Sequence, residues 1–74
     1  MAAIVLRLRE LRLARGLSQQ ELSERAGVRQ AAISELESGV RRRIDLDQLE
    51  RLCLALGVQP GELLERDRKR GKAR

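Results

Sequence analysis

The sequence predicts a single all-α domain, and three observations support this prediction. The 74 residues contain no Phe, Trp or Tyr, so Leu, Ile, Val and Ala must form the core. The abundance of Leu, Arg, Glu, Gln and Ala favours helix over strand. Apolar residues recur at spacings of three and four, which is the helical period. Four of these stretches are followed by a glycine, as the C-termini of helices often are. These glycines are Gly16, Gly27, Gly39 and Gly57.

The first three helices are predicted from their boundaries. The first covers about residues 4–15 and ends before a glycine. Ser18 with Glu21 has the spacing of a capping box, which predicts a second helix over about residues 19–26. The third helix follows a short turn and covers about residues 30–38.

Two further helices complete the prediction. Asp45 with Gln48 repeats the capping spacing, so the fourth helix covers about residues 46–56. Pro60 suits the first position of a short fifth helix over about residues 60–65. We predict no strand in this chain.

The predicted domain spans residues 1–65, and its core consists of the apolar residues that share helical faces. Residues 66–74 have no apolar face and are rich in Arg and Lys, so we expect a disordered basic tail there. Cys53 is expected to be a small buried side chain. The residues expected in the core are Leu8, Leu11, Leu17, Leu22, Val28, Ile33, Leu36, Leu46, Leu49, Leu52, Leu56, Val58 and Leu63.

Charge and composition limit the possible functions. Sixteen Lys and Arg against eleven Asp and Glu give a formal net charge of +5, which suits a polyanionic partner such as nucleic acid. With no histidine and one cysteine, neither an internal disulfide nor a Cys/His metal site forms. No nucleophile or acid–base pair is recognisable, so no catalytic residue is assigned. We expect a cytoplasmic protein without cofactor, small-molecule ligand or membrane contact.

Residues 19–36 predict two short helices joined by a tight turn. Gly27 begins the turn, and Ser23 is small enough to let the second helix cross the first closely. On the later helix, Ile33 and Leu36 point inward by their spacing. The opposite, outward face carries Gln30, Ala31, Ser34, Glu35 and Ser38.

The sequence resembles the Cro and phage-repressor family of helix-turn-helix regulators, also called the xenobiotic-response-element family. The resemblance covers about residues 8–64. It is carried by LRELR at 8–12, GLSQQEL at 16–22, GV at 27–28, ISELESG at 33–39 and LGV at 56–58. It implies a five-helix, lambda-repressor-like DNA-binding domain.

The resemblance also implies a role for several residues. Gln30 matches a position that commonly pairs with adenine, Ala31 would meet a thymine methyl group, and Glu35 either accepts from cytosine N4 or turns away from DNA. Gln19 matches a residue that braces Gln30 and meets a phosphate. The implied base-reading residues are Arg29, Gln30, Ala31, Ser34 and Glu35. The implied backbone contacts are Gln19, Ser38, Arg41, Arg42 and Arg43.

Two helix starts depart from the family pattern. Arg29 stands where Ser or Thr usually caps the third helix, and Gln59 stands where Ser often precedes the fifth, so each start loses a good cap. Arg29 either contacts DNA or is tolerated surface variation. Arg12 and Glu37 match a structural ion pair of the family. Four other arginines, namely Arg7, Arg9, Arg15 and Arg25, are expected to serve solubility.

The expected function is sequence-specific transcription regulation, with repression as the expected mode. One reading helix covers few base pairs, so we expect a homodimer on a palindromic operator in double-stranded DNA. The expected dimer interface consists of Val58, Pro60, Leu63 and Leu64. Two alternatives use the same fold: an antitoxin-type protein-interaction module and a restriction-modification controller.

Overall fold

The computed structural model describes residues 3–67, which form five helices and two short strands. In chain order these are β1 (Ala3–Leu6), α1 (Leu8–Ala14), α2 (Gln19–Ala26), α3 (Gln30–Ser38), α4 (Leu46–Leu56), α5 (Pro60–Leu63) and β2 (Leu64–Asp67). The five predicted helices are confirmed, and the middle three have the predicted bounds.

The helix starts are fixed by the predicted caps. The Ser18 hydroxyl accepts a hydrogen bond from the Glu21 N–H at 3.0 Å, and the Glu21 carboxylate accepts one from the Ser18 N–H at 2.8 Å. At α4 the Asp45 carboxylate accepts from the Gln48 N–H at 2.7 Å. Each bond satisfies a backbone donor that the first helical turn leaves unpaired. The predicted capping box is therefore confirmed at α2, whereas at α4 only its first half, the Asp45 cap, is present.

The prediction that the chain contains no strand is wrong. β1 pairs with β2 in an antiparallel sheet, with Ile4 opposite Arg66 and Leu6 opposite Leu64. The Arg7 N–H continues the connection by donating to the Leu63 carbonyl at 2.7 Å. Ile and Val suit an extended chain, and a strand becomes stable when a second segment supplies its partners. Consequently α1 begins at Leu8, about one turn later than predicted.

The second strand also changes the C-terminal prediction. Arg66 and Asp67, which the sequence assigns to the tail, pair with β1, and α5 ends at Leu63. The rest of the expected tail, residues 68–74, lies outside the described residues. At the start of α5 the Gln59 side chain makes no cap hydrogen bond, as expected, but the Glu62 carboxylate accepts from the Gln59 N–H at 3.0 Å.

The core gathers apolar side chains from all five helices and the turns between them. Leu46 was expected there but is 81% exposed, because α4 begins at this residue and Ile44, just before it, packs against the core instead. Cys53 is buried as predicted. The buried apolar residues are Leu8, Leu11, Leu17, Leu22, Ala26, Val28, Ala32, Ile33, Leu36, Leu49, Leu52, Cys53, Leu56, Val58 and Leu63.

Two of the arginines assigned to solubility make contacts between elements. Arg15 Nε donates to the Leu56 carbonyl at 2.9 Å and so connects the end of α1 to the end of α4. Arg7 Nε lies 2.7 Å from the Glu10 carboxylate and 3.6 Å from that of Glu65 in β2. These side chains help to fix α1 against the C-terminal part of the domain.

Candidate nucleic-acid interface

The turn between α2 and α3 sets the direction in which α3 is presented. Gly27 has φ +69°, a left-handed conformation that glycine adopts without steric cost. The Ser23 hydroxyl donates to the Val28 carbonyl at 2.6 Å, so the small side chain both permits the close approach and holds it. Leu22 and Val28 are buried beneath the turn. The predicted helix-turn-helix is therefore confirmed.

Helix α3 has one buried and one outward face. Ala32, Ile33 and Leu36 are buried against the core. The outward face of α3, by which we mean Arg29, Gln30, Ala31, Ser34 and Glu35, is exposed except for the half-buried Glu35. The structure thus brings all five predicted base-reading residues to one side. Arg29 precedes the helix and makes no side-chain cap hydrogen bond there, which matches the predicted loss of a cap.

Glu35 is joined to the loop that follows α3. Arg41 Nε and Nη2 donate to the same oxygen of Glu35, Oε1, at 3.1 and 3.0 Å. The Arg41 N–H also donates to the Glu35 carbonyl at 3.0 Å. A residue six positions away is not a neighbour on a helical surface, so sequence spacing gave no indication of this pair. It forms only because the chain folds back after Gly39, which has φ +85°.

The segment at residues 40–43, hereafter the arginine loop, presents three cations beside α3. Ser38 shapes its start, because its hydroxyl donates to the Glu35 carbonyl at 3.2 Å and accepts from the Val40 N–H at 3.4 Å. Arg42 and Arg43 are exposed. Among residues 3–67 the salt bridges include Arg41 but neither of these two. Their charges are available to an anionic partner.

A buried polar network holds α1, α2 and α3 together beneath this surface. Arg12 and Glu37 form a two-pronged ion pair, with Nε to Oε2 at 2.7 Å and Nη2 to Oε1 at 3.0 Å. Their side chains are only 9% and 4% exposed. Arg12 Nη1 donates to the Leu17 carbonyl at 2.7 Å. The structure thus brings the two predicted partners together at a position that fixes α3 relative to α1.

Gln19 belongs to this network and not to the outward face. Its Nε2 donates to Glu37 Oε1 at 3.0 Å, and its side chain is half-buried. The resemblance implies that this side chain braces Gln30, but here its amide nitrogen is directed at the ion pair. Gln19 nevertheless begins α2, where the backbone N–H groups of the first turn favour an anion.

The network determines the pKa of Glu37. Burial has the largest influence and by itself would raise the pKa of this carboxyl group. Hydrogen bonds from Arg12 and Gln19, with the charges of Arg12 and Arg9, outweigh burial and lower the pKa below its ordinary value. Glu37 is therefore ionised at neutral pH, as the ion pair requires.

The contribution of Glu37 to stability is expected to depend on pH. Its folded pKa lies below the unfolded value, so the contribution is complete above about 4.5 and is lost as the pH falls through the folded pKa. From about pH 5 to about pH 3, the free energy of unfolding should fall more steeply in the wild type than in Glu37→Gln. Urea titrations across this range measure the difference, and parallel curves would contradict the assignment.

The predicted dimer interface is divided by the structure. Val58 and Leu63 are buried in the domain's own core, at 7% and 0% exposure, because they close the ends of α4 and α5. Pro60 is exposed and Leu64 is 38% exposed. Only these last two offer side-chain surface to a partner. Over the part of the chain that the structure describes, no helix is long and apolar enough to cross a membrane.

Comparison with known proteins places this geometry in a family. The helix-turn-helix family matches residues 8–63. YozG, an uncharacterized HTH-type transcriptional regulator of Bacillus subtilis (strain 168), is 41% identical over 63 residues, covering 85% of this chain and 75% of the relative.

Two solved structures resemble the domain. The restriction-modification controller protein C.AhdI from Aeromonas hydrophila has a TM-score of 0.71 and 39% identity, covering 76% of this chain and 83% of that chain. SinR, the master regulator for biofilm formation from Bacillus subtilis, in complex with DNA has a TM-score of 0.73 and 29% identity, covering 74% and 87%. The chain belongs to the helix-turn-helix family of DNA-binding transcription regulators, of the Cro and phage-repressor type.

Proposed function

We propose that this protein represses transcription by binding a palindromic operator in double-stranded DNA as a homodimer. The observation that carries the proposal is the outward face of α3, where Gln30, Ala31 and Ser34 are exposed beside the arginine loop. An α-helix fits the major groove, where each base pair presents a distinct pattern of donors and acceptors. In a bacterial cell such a regulator acts in the cytoplasm, where the DNA is.

The outward face of α3 and the arginine loop contribute to DNA binding in different ways. The Gln30 amide offers a donor and an acceptor, which match N7 and the N6 amino group of adenine. Arg42 and Arg43 carry charge that is free to meet phosphates, and phosphates are the same at every sequence. Thus α3 discriminates between base sequences, and the arginine loop contributes affinity for DNA of any sequence.

A homodimer is proposed because a single α3 spans only a few base pairs. Proteins of this docking geometry place two reading helices in successive major grooves, about 34 Å apart. Leu64 in β2 and Pro60 in α5 provide the surface that we assign to the partner copy. A C2 dimer uses the same patch on both copies, so a leucine at its centre gains burial in each.

The dimer is expected to depend on Leu64. Placing like charges opposite each other in a C2 interface should weaken association, so Leu64→Arg is expected to sediment as a monomer where the wild type sediments as a dimer. Leu46→Arg is the matched control, since Leu46 is 81% exposed at the first residue of α4, at the opposite end of that helix from α5. Footprinting on a selected site should show two protected half-sites for the wild type. A monomer at high concentration with one protected half-site would contradict the proposal.

A restriction-modification controller is the second candidate. The likeness to C.AhdI favours it, at 39% identity over 83% of that chain. A controller would use the same surfaces and differ in the genes that it regulates. The location of the selected operator distinguishes the two, because a controller's operator lies beside restriction and modification genes.

A further inference from the structure

The ion pair between Glu35 and Arg41 places a carboxylate on the surface that we propose to bind DNA. Glu35 lies on the outward face of α3, where a free negative charge would be repelled by phosphates. Two N–H groups of Arg41 donate hydrogen bonds to Glu35 Oε1, at 3.1 and 3.0 Å. The pair therefore approaches DNA with no net charge, although it contains an acidic residue.

The geometry points to Arg41 as a positioning residue for Glu35. We propose that Arg41 neutralises and orients this carboxylate so that Glu35 accepts a hydrogen bond from the N4 amino group of a cytosine in the major groove. Arg41 thus determines specificity through Glu35 and is not a general phosphate contact. The inference rests on the proposed function, because it requires α3 to face base edges.

The two oxygens of the Glu35 carboxylate are engaged differently by Arg41. Both donors from Arg41 meet Oε1, so they leave Oε2 as the oxygen that this arginine does not engage. A carboxylate oxygen accepts hydrogen bonds only, and cytosine N4 is the donor that Glu and Asp read in the major groove. Guanine offers only acceptors there, and adenine places its N7 acceptor beside its N6 amino donor, so each of these bases would bring an acceptor against the carboxylate. The preferred base at this position is therefore cytosine.

The pair is not needed to hold the fold together. The side chains of Arg41 and Glu35 are 41% and 44% exposed, and ion pairs this open contribute little to stability in water. The loop is fixed independently by the Arg41 N–H, which donates to the Glu35 carbonyl at 3.0 Å. Substituting either side chain should leave the domain folded, so binding measurements report on recognition.

Arg41 also differs from the other cations of the arginine loop. Its guanidinium is held by a carboxylate on the reading helix, whereas the salt bridges found in residues 3–67 do not involve Arg42. Arg42→Ala should weaken binding to every sequence alike. Arg41→Ala should mainly change which base is preferred at one position of each half-site. Arg42→Ala is therefore the matched control for Arg41→Ala.

The test measures binding of each variant to the selected operator and to duplexes with each base pair changed in turn. Glu35→Ala should reduce the preference for cytosine at one position by about tenfold. Arg41→Ala should reduce the preference for cytosine at the same position by a similar factor. In the double variant Glu35→Ala/Arg41→Ala the preference should fall no further than in Glu35→Ala alone, because the two side chains act as one unit.

Two results would overturn the inference. The first is a uniform loss for Arg41→Ala across all duplexes, with a salt slope reduced by about one as expected for a phosphate contact. The second is an unchanged base preference in Glu35→Ala. A parallel Gln30→Ala variant distinguishes an error in the role of Arg41 from an error in the proposed function. If Gln30→Ala still relaxes a base pair, the proposed function stands and only the role of Arg41 is wrong, whereas no relaxed base pair in any α3 variant would reject both.

Discussion

Replacing Glu37 with alanine is expected to lower the free energy of unfolding by about 3–5 kcal/mol. The substitution leaves the Arg12 guanidinium buried without its carboxylate, and it also removes the acceptor of the Gln19 amide at 3.0 Å. A buried charge without a partner is far more costly than the intact pair is stabilising. Small domains have a total stability on the order of 5–15 kcal/mol, so this loss is large.

Glu24→Ala is the matched control for Glu37→Ala. Glu24 is an exposed glutamate on α2, and surface substitutions of this kind usually change stability by less than about 0.5 kcal/mol. Urea unfolding followed by circular dichroism gives the midpoint of each variant. Coincident midpoints would mean that the ion pair does not hold α1 against α3.

The helices could be predicted because their signals are local. The start of a helix is indicated within four residues of chain, by Ser18 with Glu21 and by Asp45 with Gln48. The end is indicated by a glycine in the left-handed conformation, such as Gly27. The periodic apolar residues then select the buried face of each helix. For this reason α2, α3 and α4 have the predicted bounds.

The two strands could not be predicted because neither segment is a strand by itself. β1 and β2 lie at opposite ends of the described chain and satisfy each other's backbone groups only once the helices have brought them together. β1 also continues directly towards the leucines of α1, which made a single longer helix the simpler interpretation. The exposure of Leu46 has a similar origin, because periodicity does not show where the core beneath a helix ends.

The outward face of α3 followed from periodicity, but the contacts made by its side chains did not. The spacing of Gln30 and Ser34 places them on the face opposite Leu36, and the structure exposes both. The pairing of Glu35 with Arg41 depends on the path of the loop after Gly39, and the Arg15 contact with the Leu56 carbonyl depends on how α1 meets α4. Such contacts are set by tertiary geometry, which sequence spacing does not contain.

Replacing Gln30 with alanine is expected to remove discrimination while leaving general affinity intact. The preferred operator, obtained by selecting bound fragments from random DNA, should lose about 1–3 kcal/mol of binding free energy, as expected for a bidentate contact to adenine. Binding to random duplex should change little, because phosphate contacts persist. The salt slope should also stay nearly unchanged, since Gln30 neutralises no phosphate.

Arg42→Ala is the complementary variant for this experiment. It should weaken binding to the operator and to random duplex alike, and it should reduce the salt slope by about one unit if Arg42 neutralises one phosphate. The two variants therefore change different quantities. This contrast separates a loss of recognition from a loss of charge.

If α3 reads the base sequence, one ratio of affinities must depend on its outward side chains. The ratio is the affinity for the selected operator divided by the affinity for random duplex, measured at one salt concentration for the wild type and for Gln30→Ala. We expect it to fall in the variant by about tenfold or more. A loss of equal size on both DNAs, with the ratio unchanged, would show that α3 is not the reading element.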